Sequence, residues 1–332
     1  MIVPGSLKLS LKRGALVSAA NWQVVFVQFI ADTLFKTLLA VPVVGGVMLV
    51  VLLVGGEPSE LLRLEPSQII PTMVGVLLAQ PAALVAFLGA LGLVLISGSV
   101  LMFAVKAGTV TVLVAADAAA GPIEDGPLRM SSFDAARLWS LELFTGGVRV
   151  LFDRYLRLGI GLTVAYLVIA GGYLVLVFGP PIASFLDGPL VVAIATLVLI
   201  VTITLVNFVY LLLQIVVAAE DCAVYQSVPH VVRLLKHRTR DLLEALAAIL
   251  ALMALSTAAS ILATAALGLI AFVPFVGLAA LPLQLCAWLV RGVVFQFVGL
   301  TGVATYVRMH RALRARTAEA ELGGDLHPVR TS

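Results

Sequence analysis

Four ionisable side chains stand inside long apolar stretches of this sequence: Asp32, Lys36, Lys106 and Arg291. Asp32 and Lys36 are one helical turn apart, the spacing of an i,i+4 ion pair. Lys106 stands toward the end of the second apolar run, and Arg291 lies deepest, in the last one. A charge at mid-bilayer costs about 2.5–3.5 kcal/mol on insertion scales, so it turns toward protein or water. Two chemistries fit this set. In the first, Lys36, Lys106 and Arg291, with Asp32 beside them, line a polar cleft for an anionic headgroup or small anionic solute. In the second they are structural: Lys36 and Lys106 snorkel to headgroups, and Asp32 is neutralised by Lys36 or by Lys106. Arg291 has no acid at its own depth. Asp187 from a loop, or Asn207, Gln284 and Gln296, would supply oxygen acceptors.

The elements that carry these charges follow from composition. The chain has 332 residues, 61% hydrophobic and 12% charged, with a net charge of +3. Its mean hydropathy is +1.13. A soluble domain carries about twice that charged fraction. A span needs about 20 apolar residues, and the apolar runs place six, near 28–54, 82–114, 157–178, 190–218, 243–271 and 281–306. Backbone in lipid must satisfy itself, so each span is a helix, and the runs lack the period-two alternation of membrane strands. The expected fold is an all-α six-helix bundle with amphipathic helices at the interface. It divides into an N-terminal segment over 1–20, one transmembrane domain over 21–312 and a flexible tail over 313–332. Lys8, Lys12 and Arg13 precede an apolar stretch too long for a signal peptide's core, so that stretch reads as the first span.

The gaps between runs alternate in charge. The 55–70 gap holds Glu57, Glu60, Arg63 and Glu65, the 179–189 gap only Asp187, and the 272–280 gap no charge. Apart from Arg63 and the intramembrane Lys36, Lys106 and Arg291, every Lys and Arg falls at the opposite ends of the runs. By the positive-inside rule both termini are cytoplasmic, as in a bacterial inner membrane. The basic residues then read as topology signals and contacts to anionic lipid, not as a nucleic-acid surface.

Two stretches concentrate them. Segment 227–246 opens with Ser227 as an expected N-cap and Pro229 in the first turn. Its apolar residues recur at helical spacing, with Arg233, Lys236 and Arg240 among them. It reads as a helix on the cytoplasmic face, apolar side in the acyl boundary and basic side toward headgroups or a partner protein. Segment 131–156, with Arg137 and Trp139, reads likewise, and Gly146-Gly147 is expected to break it. Each stretch follows a matched span ending, Val114-Ala-Ala-Asp117 and Val217-Ala-Ala-Glu220. This points to an internal repeat in one orientation, which argues against an inverted-repeat transporter.

Segment 220–238 carries a family resemblance. Glu220 ends a span, the small Ser227 follows seven positions on, and Arg233-Leu234, Lys236 and Arg238 lead into the next span. This pattern, with Ala304-Thr-Tyr-Val-Arg308, resembles a broad group of bacterial and archaeal six-helix membrane proteins. The group includes the membrane domain of glycerophosphoryl diester phosphodiesterases and the YciC-like uncharacterised membrane proteins. The likeness covers the C-terminal third. The chain departs from the pattern at Val231, where the group often has Ser. The resemblance implies a six-helix fold. It does not imply phosphodiesterase activity, because those enzymes carry their catalytic barrel as a separate domain.

The sequence has no glycine loop followed by Lys-Ser/Thr, no His-Glu-x-x-His, no Gly-x-Ser-x-Gly and no paired intramembrane acids. Cys222 and Cys286 match no metal or redox spacing. His230 and His237 share a helix face without a third ligand. Ser256, Thr257, Ser260 and Thr264, with Ala263 and Gly268, read as a close-packing stripe, as do Gly45-Gly46, Gly292 and Gly299. The expectation is a non-enzymatic membrane module, without cofactor or metal, that organises lipid or a partner protein. The alternatives are a permease-like component for a lipid or small anionic solute, served by a separate ATPase, and a lipid-modifying enzyme.

Overall fold

The computed structural model of the chain describes residues 7–54, 75, 78–124, 130–178, 188–271 and 276–324. Glu57, Glu60, Arg63, Glu65, Arg129 and Asp187 lie outside the described residues. Among those described, the regular elements are α1 (Leu7–Ala20), α2 (Trp22–Val54), α3 (Pro81–Ala119), α4 (Met130–Ala136), α5 (Leu141–Phe178), α6 (Gly188–Glu220), α7 (Val224–Ala271) and α8 (Val276–Gly324). Six of these, α2, α3 and α5 to α8, are long and apolar enough to cross a membrane. The chain is an all-α, multi-pass membrane protein. Its spans turn large apolar side chains outward, such as Val85, Leu93, Leu167 and Leu262, a surface that lipid solvates and water does not.

Local chemistry sets the helix ends. Pro81 occupies the first position of α3, where its missing N–H is no loss, and Leu84 N donates to Gln80 O at 3.0 Å. Ser140 caps α5: its Oγ accepts from Leu143 N at 3.1 Å, and Glu142 adds a negative charge to the first turn. The break in segment 131–156 therefore falls at 137–140. Gly146-Gly147, expected to make it, lie inside α5. Gly147 serves packing instead, since a Cβ there would strike Thr111 of α3. Helix α7 begins at Val224, three residues before the expected N-cap. Gln226 Oε1 reaches back to Ala223 N at 3.1 Å, half of a capping box. Ser227 is thus interior, its hydroxyl donating to Val224 O at 2.6 Å, and Pro229 lies past the first turn. A kink at Arg238 (φ −137°, ψ 25°) separates the basic first part of α7 from its span.

Two compact units form where the sequence reads one domain over 21–312: residues 1–28 with 106–332, and residues 29–105. The first holds two apolar cores. One joins Leu212 and Ile215 of α6, Val231, Leu234 and Leu242 of α7, and Tyr306 of α8. The apolar side of segment 227–246 is thus largely taken up by protein, leaving Val228 and Val232 exposed. The other core gathers Val17, Val24, Leu113, Ala136 and Leu300. Helix α1, expected to stand outside the domain, is built into the first unit. Gly14 permits this, because a Cβ there would meet the Thr301 carbonyl and the Thr305 amide of α8, backbone atoms that cannot swing aside. Helix α8 continues to Gly324, well into the expected flexible tail.

The close approach of α7 and α8 centres on Gly302 against Ile249, with Gly299 near Met253. Gly299 was among the residues expected to pack closely; on α7, Ala263 and Thr264 are exposed, and a Cβ on Gly268 would meet nothing within 4 Å.

The second unit is a helical hairpin of α2 and α3 with reciprocal packing. A Cβ on Gly98 would collide with the Phe35 ring, and one on Gly46 with the Phe87 ring. Small residues of this kind let membrane helices approach where no hydrophobic force drives them together. Gly98→Ala is expected to cost about 1–3 kcal/mol by overpacking. Combined with Phe35→Leu, the loss should fall short of the sum by about 0.5 kcal/mol or more. Thermal unfolding of the four-member cycle in detergent checks this; strictly additive losses would contradict the contact.

Candidate functional site

Helix α1 places Arg13 where four acceptor groups from three residues converge, and the residue is only 4% exposed. Its Nε donates to Asp117 Oδ1 at 2.6 Å and its Nη2 to Asp117 O at 2.8 Å. Its Nη1 reaches both the Glu124 carboxylate and the Gly121 carbonyl. Gly121 has φ +55°, a left-handed conformation that glycine adopts without strain. Burial alone pushes the Arg13 pKa down, but hydrogen bonds and charge from Asp117 and Glu124 outweigh it, so the guanidinium stays above its ordinary value and charged. Lys12 adds a bond from Nζ to Glu124 O at 2.9 Å.

Helix α8 completes this clamp. Arg308 pairs with Glu124 at 3.0 Å and Arg311 with Asp117 at 3.0 Å. Between these two arginines, His310 Nε2 lies 2.8 Å from Glu220, which also receives Arg314 a turn further on. The two matched span endings therefore share a task, since Asp117 and Glu220 each close a span by gripping the basic face of α8. Asn21, fully buried, sets the adjoining corner between α1 and α2. Its Oδ1 accepts from Leu138 N and Trp139 N at 3.1 and 3.0 Å. Its Nδ2 donates to Ala136 O and Val17 O at 2.8 and 2.9 Å. A single amide thus satisfies both the end of α4 and the linker into α5.

Deeper along the same helices, the first unit carries a half-open cavity of about 440 Å³. At about 1.5 Å per residue, its α6 wall runs from Gln214, about 9 Å above Glu220, to Thr204, about 24 Å above it. The walls differ. Helix α7 contributes only apolar side chains, Leu246, Ile249, Leu250 and Met253, at i, i+3, i+4 and i+7 spacing. The facing walls bring Gln28, Lys106, Asn207, Gln214, Gln296 and the two phenols of Tyr210 and Tyr306. Lys106 Nζ lies 5.4 Å from the Tyr210 ring centroid, within cation–π reach. Thr109 Oγ1 bonds Gln28 Oε1 at 3.4 Å, and Asn207 Oδ1 accepts from the Tyr166 hydroxyl at 2.6 Å. Gln214 Nε2, Tyr210 Oη and Tyr306 Oη are buried without a hydrogen-bond partner among the described residues.

Of the residues singled out in the sequence, the cavity takes in Lys106, Asn207 and Gln296. Asp32 and Lys36 pair with each other at 2.6 Å in the hairpin unit. Arg291 is exposed, with its guanidinium carbon 5.7 Å from the Phe295 ring centroid. It precedes Gln296 by a rotation of about 140° around the helix, onto another face. Arg137, Arg233, Lys236 and Arg240 are all exposed; Arg240 pairs with Glu244 at 2.8 Å. Cys222 and Cys286 are unpaired thiols. The clamp went unseen because its basic members were assigned to topology. The signal was present: two acids at matched span endings, and Arg308, Arg311 and Arg314 at helical spacing. No family model, curated protein or solved structure matches the chain.

Proposed function

We propose that this chain is a non-enzymatic module of a bacterial inner membrane that holds a lipid within its helical bundle and so organises the lipid around it. Both termini lie in the cytoplasm, which puts the charged clamp at the inner interface and the cavity in the apolar layer above it. One observation carries the reading: a cavity at span depth with a fully apolar α7 wall and polar groups set among apolar ones on its other walls. A small-molecule site of about 300–1,000 Å³ is of this order, and an amphiphile satisfies both kinds of wall where neither water nor an alkyl chain alone would. The exposed Arg137, Arg233 and Lys236 add favourable contacts to an anionic leaflet, at about 1 kcal/mol per residue near the surface. The resemblance to a bacterial and archaeal six-helix group fits this setting. A partner protein, an ATPase included, would dock on the same basic surface.

The expected result is one lipid retained per chain when protein purified in mild detergent is examined by native mass spectrometry. Changing the apolar wall by Leu250→Asn should lower that retention about tenfold without unfolding the protein, given a loss of about 1.4 kcal/mol. Lipid-free protein carrying a stoichiometric protein partner would contradict the reading.

A further inference from the structure

The cavity's polar walls are unbalanced in a way that specifies what they bind. Gln214 is 2% exposed, Tyr306 1% and Tyr210 7%, and each keeps a polar atom without a partner among the described residues. A buried, unsatisfied polar group destabilises a fold. Three such residues line one cavity, whose other polar lining is Gln28, Lys106, Thr109, Thr204, Asn207 and Gln296. Gln214 Nε2 can only donate, and a phenol hydroxyl donates readily. The Gln214 backbone carbonyl is itself engaged by the Tyr155 hydroxyl at 2.9 Å. Lys106 brings a positive charge to the same space. Among the described residues that line it there is no Asp or Glu. Donors and a cation without an acid are complementary to anionic oxygen, whose charge-assisted hydrogen bonds are roughly twice as strong as neutral ones.

Volume and the apolar wall narrow the class further. The cavity of about 440 Å³ equals the liquid share of about fifteen waters. A bare phosphate, with five heavy atoms, leaves most of it empty and touches none of the Leu246–Met253 face. Resting on the lipid-holding reading above, we infer that the cavity binds the phosphate or carboxylate oxygens of an anionic amphiphile. Lys106, Gln214, Tyr210 and Tyr306 hold the head, and the apolar wall of α7 holds the first carbons of the tail.

The test uses the full-length chain in mild detergent and four probes: phosphatidylglycerol, phosphatidylethanolamine, a fatty acid and inorganic phosphate. Retention is read by native mass spectrometry and binding by thermal shift. The wild type is expected to retain phosphatidylglycerol or the fatty acid at least tenfold better than phosphatidylethanolamine. Gln214→Leu and Tyr306→Phe should each reduce that retention about tenfold while leaving thermal stability equal or higher, because each removes an orphaned polar group. Preserved or raised stability with lost retention separates a ligand contact from a structural one. Equal retention by both variants would overturn the assignment. Preference for phosphatidylethanolamine would overturn it as well, while leaving the lipid-holding function standing. A thermal shift with inorganic phosphate matching that with lipid would identify a free solute and overturn the amphiphile. Retention of none of the lipids would overturn this assignment and the lipid-holding function together.

Discussion

Replacing Arg13 by Leu is expected to lower the unfolding free energy by about 3 kcal/mol, the lower end of the 3–5 kcal/mol range for breaking a buried ion pair. The lower end applies because each acid keeps one partner: Arg311 remains on Asp117 and Arg308 on Glu124. What disappears is the group that ties both acids to α1, together with the bonds to the Gly121 and Asp117 carbonyls. Arg13→Lys should recover little of the loss. The three guanidinium nitrogens each serve a different acceptor, whereas an ammonium concentrates its donors at one point. Thermal unfolding in detergent measures both variants. A lysine variant as stable as the wild type would show that charge alone, not the planar fork, holds α1 in place.

Asn21→Leu is expected to cost about 3 kcal/mol, since it removes the side-chain bonds to the part-buried Leu138 and Trp139 amides and to the buried Ala136 carbonyl. The leucine fills a similar volume, so lost hydrogen bonds and not a void account for the effect. Its signature is local. Hydrogen exchange should accelerate at Leu138 and Trp139 before the spans open, because the linker between α4 and α5 has lost its anchor. Unchanged protection at these two amides would refute the role given to Asn21.

The contrast between span and clamp shows what was legible in the sequence. Span existence is a one-dimensional property: about twenty apolar residues cross the bilayer whatever their neighbours, and all six expected runs are helices. The α2–α3 hairpin was partly legible too, since Gly46 was marked for close packing and Phe87 fills its place. The clamp was hidden by an ambiguity of charge. A basic residue at a span's end satisfies the positive-inside rule whether it faces headgroups or an acid, so Arg13, Arg308, Arg311 and Arg314 carried no mark of their pairing. Segment 1–20 was equally opaque. Its modest apolar content resembles a tail, and the packing of residues 7–20 shows only in three dimensions, where Gly14 meets the α8 backbone and Val17 enters a core. The cavity was the least legible feature, because Gln28, Lys106, Gln214 and Tyr306 come from four helices and share no local pattern. Arg291 held attention as the deepest charge, but depth along a helix does not reveal which face a side chain takes.

A cryo-electron microscopy map of the wild-type chain in nanodiscs of native lipid tests the central claim most directly. The account predicts elongated density in the cavity, with its compact end within hydrogen-bond reach of Gln214 Nε2, Tyr306 Oη and Lys106 Nζ and its tail along Leu246, Leu250 and Met253. A cavity holding only isolated water peaks between those donors, or closed by side chains, would contradict it.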